Sequence, residues 1–488
     1  MSPLPLVALG LLLSAPVQVG SKAFTESVLL GEVVTRTLRA AGIPAEHRRE
    51  LGGTRILWDA LQRGELDAYP EYTGTLAEEI FSGQVPPTLE ALRPALAKHR
   101  VRIAVVFGFS DSYALGMLSE KARQLGIGRI SDLGQHPELR FAFSNEFLDR
   151  ADGWRALQKD YALPQKDVRG MDHELAYRGL ASGAVELTDL YSTDPEVQLL
   201  RLSLLADDRH HFPDYQAVLL LREAAATPQV LAALAPLSGR IDPQDMVAMN
   251  VRAKVGRVPE AQVAAEFLQG KGIDTGAVDL PGLPRRLLGY LRDHLLLVAV
   301  SLAGSVLVGI PLGIVAARRP RLGQVVLAAV GVLQTLPSLA LLVLMIPLLG
   351  IGARPAIAAL FLYGLLPVVR NTYAGLTGIA GELQEAAEAL GVSPLTRLWR
   401  IELPLASPSI LAGIQTSAVI CVGTATLGAL VGAGGFGQPI LTGIRLDNVG
   451  LLLEGAVPAA LLALLVQALF EWSGRLLIPR GLRLGRTS

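Results

Sequence analysis

Two hydropathy patterns divide this chain near residue 290. Before it, apolar positions recur at helix or strand spacing between turns; beyond it, they run on without charge for most of a helix at a time. In the first part, Gln18–Gly20 reads as a strand end. Thr25 opens a helix with apolar Val28, Leu29, Val33, Val34 and Leu38, and Gly42 stops it. A second helix from about Thr54 to Arg63 is followed by the strand Leu66–Pro70. Alternating strands and helices predict an α/β domain whose ligands sit at the carboxyl ends of strands, where Lys22, Thr54 and Tyr72 lie at strand-to-helix turns. Residues 18–272 are generous for one sheet, which predicts two lobes.

In the second part, Leu295–Ala317 is uncharged and, at about 1.5 Å per residue, covers a hydrocarbon core of ~30 Å. Leu322–Ala353, Pro355–Val369, Leu403–Ile444 and Gly455–Phe470 are further uncharged runs, the third of these five continuing past Arg370 to near Ala380. About five spans follow if each run holds one helix. The string Gly432-Ala-Gly-Gly-Phe-Gly-Gln-Pro439 interrupts the run ending at Ile444 and leaves one helix plus an irregular loop. Pro311, Pro337, Pro347 and Pro458 fall inside apolar runs, where partner helices or water must satisfy the freed carbonyls.

Charge sharpens the division. The formal net charge of zero hides an asymmetry: only 13 basic and 8 acidic residues follow residue 290, and no lysine follows Lys271. Neither part is basic enough to imply nucleic acid. Arg318, Arg319 and Arg321, then Arg370, Arg397 and Arg400, then Arg475, Arg480, Arg483 and Arg486 share one side of a five-span bundle. The opposite loops hold Arg354 and Arg445. Positive-inside bias therefore predicts residues 18 to about 290 outside the cytoplasm and the C-terminus within it. The apolar stretch Leu4–Leu13 is too short to span a membrane; with Ser14, Ala15 and Pro16 behind it, it fits a secretory signal lacking the usual leading Lys or Arg. The single cysteine, Cys421, excludes a disulfide framework and a thiolate cluster.

Candidate chemistry comes from two places. Between spans lies Glu385-Ala-Ala-Glu-Ala-Leu-Gly391-Val-Ser-Pro-Leu-Thr-Arg-Leu-Trp399-Arg-Ile401-Glu-Leu403-Pro404. Its Ala and Glu residues predict a short helix, Gly391 permits the left-handed turn that ends it, and Ser393-Pro394 starts a second helix running to Pro404. Leu395, Leu398, Trp399 and Ile401 give that second helix an apolar face open to a soluble partner. In the water-facing part, Tyr72, Tyr113, Tyr191 and Tyr215 each stand in a polar, turn-like string: Tyr69-Pro-Glu-Tyr72-Thr-Gly-Thr75, Ser110-Asp-Ser-Tyr113-Ala-Leu-Gly-Met117, Tyr191-Ser-Thr-Asp-Pro195 and Phe212-Pro-Asp-Tyr215. His210-His211 beside Asp207-Asp208 reads as a solvated turn, since adjacent histidines project poorly onto one metal ion. No phosphate-binding Gly-x-x-x-x-Gly-Lys-Ser/Thr string occurs, so ATP would have to be hydrolysed by another polypeptide.

The spacing of Glu385, Ala386 and Ala387, then Gly391, then Ile401, Leu403 and Pro404, resembles the coupling-helix signature of ABC importer permeases. The tyrosine strings, with Gly20-Ser-Lys-Ala-Phe-Thr-Glu26 and Gly52-Gly-Thr54, resemble the substrate-binding proteins of osmoprotectant importers for glycine betaine, choline and related compounds. The resemblance implies a two-lobed, periplasmic-binding-protein-like (type II) α/β domain followed by an all-α transmembrane ABC importer permease domain. It implies that Tyr72, Tyr113, Tyr191 and Tyr215 box a quaternary ammonium group, that Lys22, Thr75 and Arg150 hold a ligand carboxylate, and that Asp111 stands near the second tyrosine. Glu385, Ala386, Ala387, Gly391, Trp399, Ile401, Leu403 and Pro404 would engage the ATPase.

The expected organisation is a signal-like segment 1–17, an extracytoplasmic binding domain 18–272, and a linker 273–289 with Pro281, Gly282 and Pro284. A permease domain 290–478 with coupling helices in 382–404 and a cytoplasmic tail 479–488 complete it. The expected assembly is a homodimer through the permease domain in the bilayer, with two copies of an ATP-binding subunit, no cofactor on this chain and no nucleic acid. Import of another trimethylated compound such as ergothioneine is the rival within the class. A ligand-binding membrane sensor is the rival outside it, and an enzyme is disfavoured because no nucleophile–base pair or metal set stands at recognisable spacing.

Overall fold

The computed structural model describes residues 15–150, 152–212 and 215–477, so most of the signal-like segment and the tail 479–488 lie outside the described residues. The chain divides into two compact units with the main boundary between Asp279 and Leu280.

Among the described residues, ten strands build the first unit: β1 Val17–Gly20, β2 Ala45–Arg48, β3 Ala68–Tyr72, β4 Val101–Ser110, β5 Tyr113–Leu118, β6 Phe141–Ser144, β7 Val168–Met171, β8 Thr188–Tyr191, β9 Leu202–Leu204 and β10 Gln216–Arg222. One lobe holds a five-stranded sheet in the order β2-β1-β3-β10-β4, parallel through β2, β1 and β3 and antiparallel at β10. The other holds β8-β5-β9 and the parallel pair β6-β7, joined by a bridge between Phe141 and Leu187. The chain leaves the first lobe after β4 and re-enters it at β10. The two crossings are tied to one another, because the amide of Asp111 donates to the carbonyl of Tyr215 at 3.1 Å.

The helix beginning at Thr25 ends at Ala40, and Val28, Leu29, Val33, Val34 and Leu38 are all fully buried, as its apolar face requires. The second helix is Thr54–Arg63, closed by Gly64 in the left-handed conformation. The strand expected at Leu66–Pro70 runs instead over Ala68–Tyr72, and Asp67 just before it bonds through its backbone to Gln18 and Arg222. That shift puts Tyr72 at the carboxyl end of a strand.

The second unit is helical. Among the described residues, four of its helices, Leu283–Arg318, Ala353–Thr377, Pro394–Val431 and Val449–Gly474, are long and apolar enough to cross a membrane. The run Leu322–Ala353, expected as one span, is instead two helices, Pro320–Thr335 and Ser338–Leu349, meeting at 100°. Pro337 accounts for the break: it offers no amide to continue the ladder and forces Leu336 into an extended conformation with ψ 135°. Small residues let the long helices approach. A Cβ on Gly364 would lie 2.5 Å from Ser305 Oγ and 2.6 Å from Ser417 Oγ, so three helices meet at that glycine.

In the polar segment, the first short helix is Gly381–Ala389, and Gly391 takes the left-handed conformation with φ 69°. Ser393 caps the next helix by accepting from the amide of Thr396 at 3.3 Å. That helix does not stop at Pro404 as expected. A π-turn at Leu398–Glu402 carries it directly into Leu403–Thr424, immediately before the proline whose missing amide would otherwise serve the carbonyl of Arg400. Beyond Thr424, left-handed Gly432, Gly434 and Gly435 form the irregular loop, followed by a nine-residue helix, Gly437–Arg445.

Candidate functional site

A cavity in the first unit is lined by Lys22, Phe24, Tyr72, Thr75, Asp111, Tyr113, Glu146, Arg150, Tyr191 and Tyr215, around about 310 Å³ of space partly open to solvent. All eight residues singled out for ligand contact in this part of the sequence are therefore brought together. Thr54, also at a strand-to-helix turn, is not among the lining residues.

Strand ends deliver the rings. Tyr72 closes β3, Tyr113 opens β5, Tyr191 closes β8 and Tyr215 immediately precedes β10. Tyr113 and Tyr191 are direct cross-strand partners, with ring centroids 4.9 Å apart, and Tyr215 stands nearly edge-on to Tyr113 at 5.8 Å and 71°. Phe24 extends the wall, 6.4 Å from Tyr72 and 6.0 Å from Tyr191. Gly74 makes room for the fourth ring, since a Cβ there would fall 2.5 Å from the Tyr215 ring. Burial pushes the phenols of Tyr72, Tyr113 and Tyr191 well above their ordinary range, so the rings stay neutral and present electron-rich faces.

Each cation already has a carboxylate. Lys22 Nζ donates to Glu71 Oε1 at 2.5 Å and stands 5.7 Å from the Tyr72 ring centre. Arg150 grips Asp152 with two bonds of 2.8 Å, gives a third of 3.1 Å to the Tyr215 hydroxyl, and lies 5.1 Å from the Tyr113 ring centre. The two cations thus stand over different rings. Burial pushes the Glu71 carboxyl up, against the pull of Lys22. Asp152 is held below the usual carboxylate range because Arg150 and the Tyr215 hydroxyl outweigh its burial.

Behind the rings lies a polar layer the sequence reading missed. Tyr72 donates its hydroxyl to Glu26 Oε1 at 2.5 Å, Thr193 Oγ1 contacts both Glu26 and Asp111, and Asn250 Nδ2 reaches Glu26 Oε2 at 3.2 Å. Phe24 and Glu26 sit inside the string that carries Lys22, Thr193 inside that of Tyr191, and Glu146 four residues before Arg150. Among the described residues, no group of three or more His, Cys, Asp or Glu is placed to hold a metal ion.

In the second unit, Glu385, Ala386 and Ala387 lie on the helix Gly381–Ala389, Trp399 and Ile401 in the π-turn, and Leu403 and Pro404 at the start of the long helix that follows. Leu390, Leu395 and Trp399 are exposed. Glu402 is buried between Arg318 and Arg397 and holds the segment to the first long helix.

The family described as the substrate binding domain of the ABC-type glycine betaine transport system (OpuAC) matches residues 15–270. That of the binding-protein-dependent transport system inner membrane component matches residues 309–482. The choline transport system permease protein OpuBB of Bacillus subtilis (strain 168) is 40% identical over 191 residues, 39% of this chain and 88% of that protein. The osmoprotectant import permease protein OsmY of Salmonella typhimurium is 44% identical over 220 residues, 44% of this chain and 90% of its own length. A crystal structure of a glycine betaine/carnitine/choline ABC transporter aligns with a TM-score of 0.47 and 23% identity, over 53% of this chain and 99% of that one.

Proposed function

Since this chain belongs to the ABC importer family, with a glycine betaine-type substrate-binding domain and a permease domain in one multi-pass membrane polypeptide, we propose that it captures quaternary ammonium compatible solutes and admits them through its own membrane domain. Glycine betaine, choline, proline betaine and carnitine are the ligand class. The observation that carries this reading is the meeting of Tyr72, Tyr113, Tyr191 and Tyr215 around one cavity.

A trimethylammonium group has no N–H to donate, so acceptors cannot hold it by hydrogen bonds, whereas neutral aromatic faces attract its charge by roughly 0.5–2 kcal/mol each. In this reading the ligand takes the ring faces now neighboured by Lys22 and Arg150. Choline can do so with the Lys22–Glu71 and Arg150–Asp152 pairs intact. A betaine carboxylate competes with Glu71 and Asp152 for the two cations, with Thr75 beside them.

The rest of the machine is carried over from the family resemblance and the placement of the arginines. Binding residues face the outside and the C-terminus the cytoplasm, with about five spans when the bent pair at Pro337 counts as one. Two copies pair through their permease domains and engage two ATP-binding subunits. The segment from Glu385 to Pro404, with exposed Leu395 and Trp399, is the contact through which ATP binding is felt. The tether raises the local concentration of the ligand domain at its pore.

Calorimetry of the full chain in detergent with choline, glycine betaine, proline betaine, carnitine and ergothioneine tests the reading. Binding of the first four supports it; binding of ergothioneine alone moves the ligand to another trimethylated compound. No binding by any of them overturns it. Uptake of the bound ligand into vesicles only when the ATPase subunit and ATP are present separates an importer from a sensor.

A further inference from the structure

Two carboxyl groups behind the tyrosine wall share one hydroxyl. Thr193 Oγ1 stands 2.5 Å from Glu26 Oε2 and 2.8 Å from Asp111 Oδ1, and both carboxyl residues are at most 5% exposed. A hydroxyl carries one hydrogen, so it donates to one of these oxygens and can meet the other only by accepting. If both groups were ionised, one contact would set lone pair against lone pair below 3 Å, with two negative charges out of water.

The neighbours do not resolve this. Tyr72 OH serves Glu26 Oε1, the Thr193 amide and Ser192 Oγ serve Asp111 Oδ1 at 3.2 and 3.3 Å, and Asn250 Nδ2 is divided between Glu26 Oε2 and the Thr193 carbonyl, each at 3.2 Å. Asn250 Oδ1, on a residue 3% exposed, meets no donor among the described residues. The cluster is short of hydrogens. One added proton removes the conflict: a carboxylic acid on one side donates to Thr193 Oγ1, which donates to the carboxylate on the other.

Four segments of the unit supply this cluster. Glu26 is on the helix Thr25–Ala40 and Asn250 on the helix Pro243–Lys254. Asp111 stands at the crossing between lobes, and Thr193 follows β8 of the second lobe. Separating the lobes would part Thr193 from Glu26 and admit water between them. We propose that the closed cleft holds one proton shared by Glu26 and Asp111 through Thr193, taken up as the lobes close, so that ligand binding is coupled to protonation.

The electrostatics agree in direction. Burial pushes Glu26 up to about 7, and burial together with the charge of Glu26 pushes Asp111 well above the carboxylate range. The charged groups around the cluster are engaged with one another: Asp194 with His173 and Tyr177, Lys254 with Glu196 and at longer range Asp194, and Lys22 with Glu71 on β3. Burial works against the charge on His173, but Asp189 and Asp194 raise it well above its usual value, so it stays charged when Glu26 titrates. A group whose acidity is weakened in the closed state stabilises that state while protonated. Affinity is therefore full at low pH, falls by up to tenfold per pH unit for one proton as pH rises toward about 7, and levels off above it, where the closed state has lost the proton too. Below the ordinary carboxylate range of ~4 the dependence vanishes, because the open state is then protonated as well.

This inference rests on the proposed ligand site, and its test keeps the two apart. Choline binding to the full chain is measured by calorimetry from about pH 5 to 8.5, in buffers of different ionisation enthalpy. Proton uptake on binding, with affinity falling toward tenfold per unit below about pH 7 and levelling off above it, is expected. Binding with no buffer-dependent heat and no pH dependence overturns the proton while leaving the site. Failure to bind choline or any of the other quaternary ammonium ligands at every pH overturns both. The wild-type measurement needs no variant. Glu26→Gln adds a second reading, since its amide NH₂ supplies Thr193 Oγ1 with the missing hydrogen and its carbonyl still accepts from Tyr72. It should bind with little pH dependence, and an unaltered slope overturns the assignment to this pair.

Discussion

Tyr113 and Tyr191, 78 residues apart in sequence, are opposite one another in the antiparallel pair β5–β8, with hydroxyls 3.1 Å apart. Each therefore fixes the other's ring, and a ligand between Tyr72 and this pair would meet a wall already in place. Tyr191→Ala should weaken choline binding by roughly 0.5–2 kcal/mol, about two- to thirtyfold. Tyr191→Phe keeps the face and loses only the hydroxyl contact, so it should stay close to wild type. Calorimetry on both variants checks the order.

Gly74 is the spacer behind Tyr215, whose ring would lie 2.5 Å from any added Cβ. Gly74→Ala must push the ring toward the cavity, at a cost of typically 1–3 kcal/mol for such overpacking. Chemical denaturation should show the loss, and ligand affinity should fall with it.

The Arg150–Asp152 pair has side chains only 3% and 9% exposed. Asp152→Ala leaves the guanidinium buried without its partner and should cost about 3–5 kcal/mol of stability. The pair also sets an acid limit. Asp152 is held below its unfolded range, so its contribution is complete above ~4 and disappears as pH falls through the folded value. Acid unfolding of wild type and Asp152→Ala should converge at the low-pH end.

Trp399 is 65% exposed on a helix that continues directly into the long helix Leu403–Thr424. Trp399→Ala should leave ligand affinity unchanged and lower ligand-stimulated ATP hydrolysis in the complex, by tenfold or more if the residue anchors the contact at about 2 kcal/mol. Equal hydrolysis in variant and wild type would remove Trp399 from that surface.

What the sequence by itself determined was local. Apolar runs without charge placed the membrane helices, the face Val28, Leu29, Val33, Val34 and Leu38 placed the first helix, and Gly391 with Ser393-Pro394 placed the turn between the short helix and the one that follows it. These depend on neighbours three or four residues away, so periodicity and capping residues record them. The tyrosines were recognisable from their strings, yet their meeting depends on pairings across 78 residues and on two crossings between lobes.

Tertiary structure alone decided the rest. It gave Lys22 and Arg150 the partners Glu71 and Asp152, set Thr193 between two carboxyl groups, and brought the Tyr113 and Tyr191 rings together. The physical reason is common to all three. A composition window measures how much each residue prefers to leave water, whereas these outcomes depend on which buried groups face one another once the chain has left it.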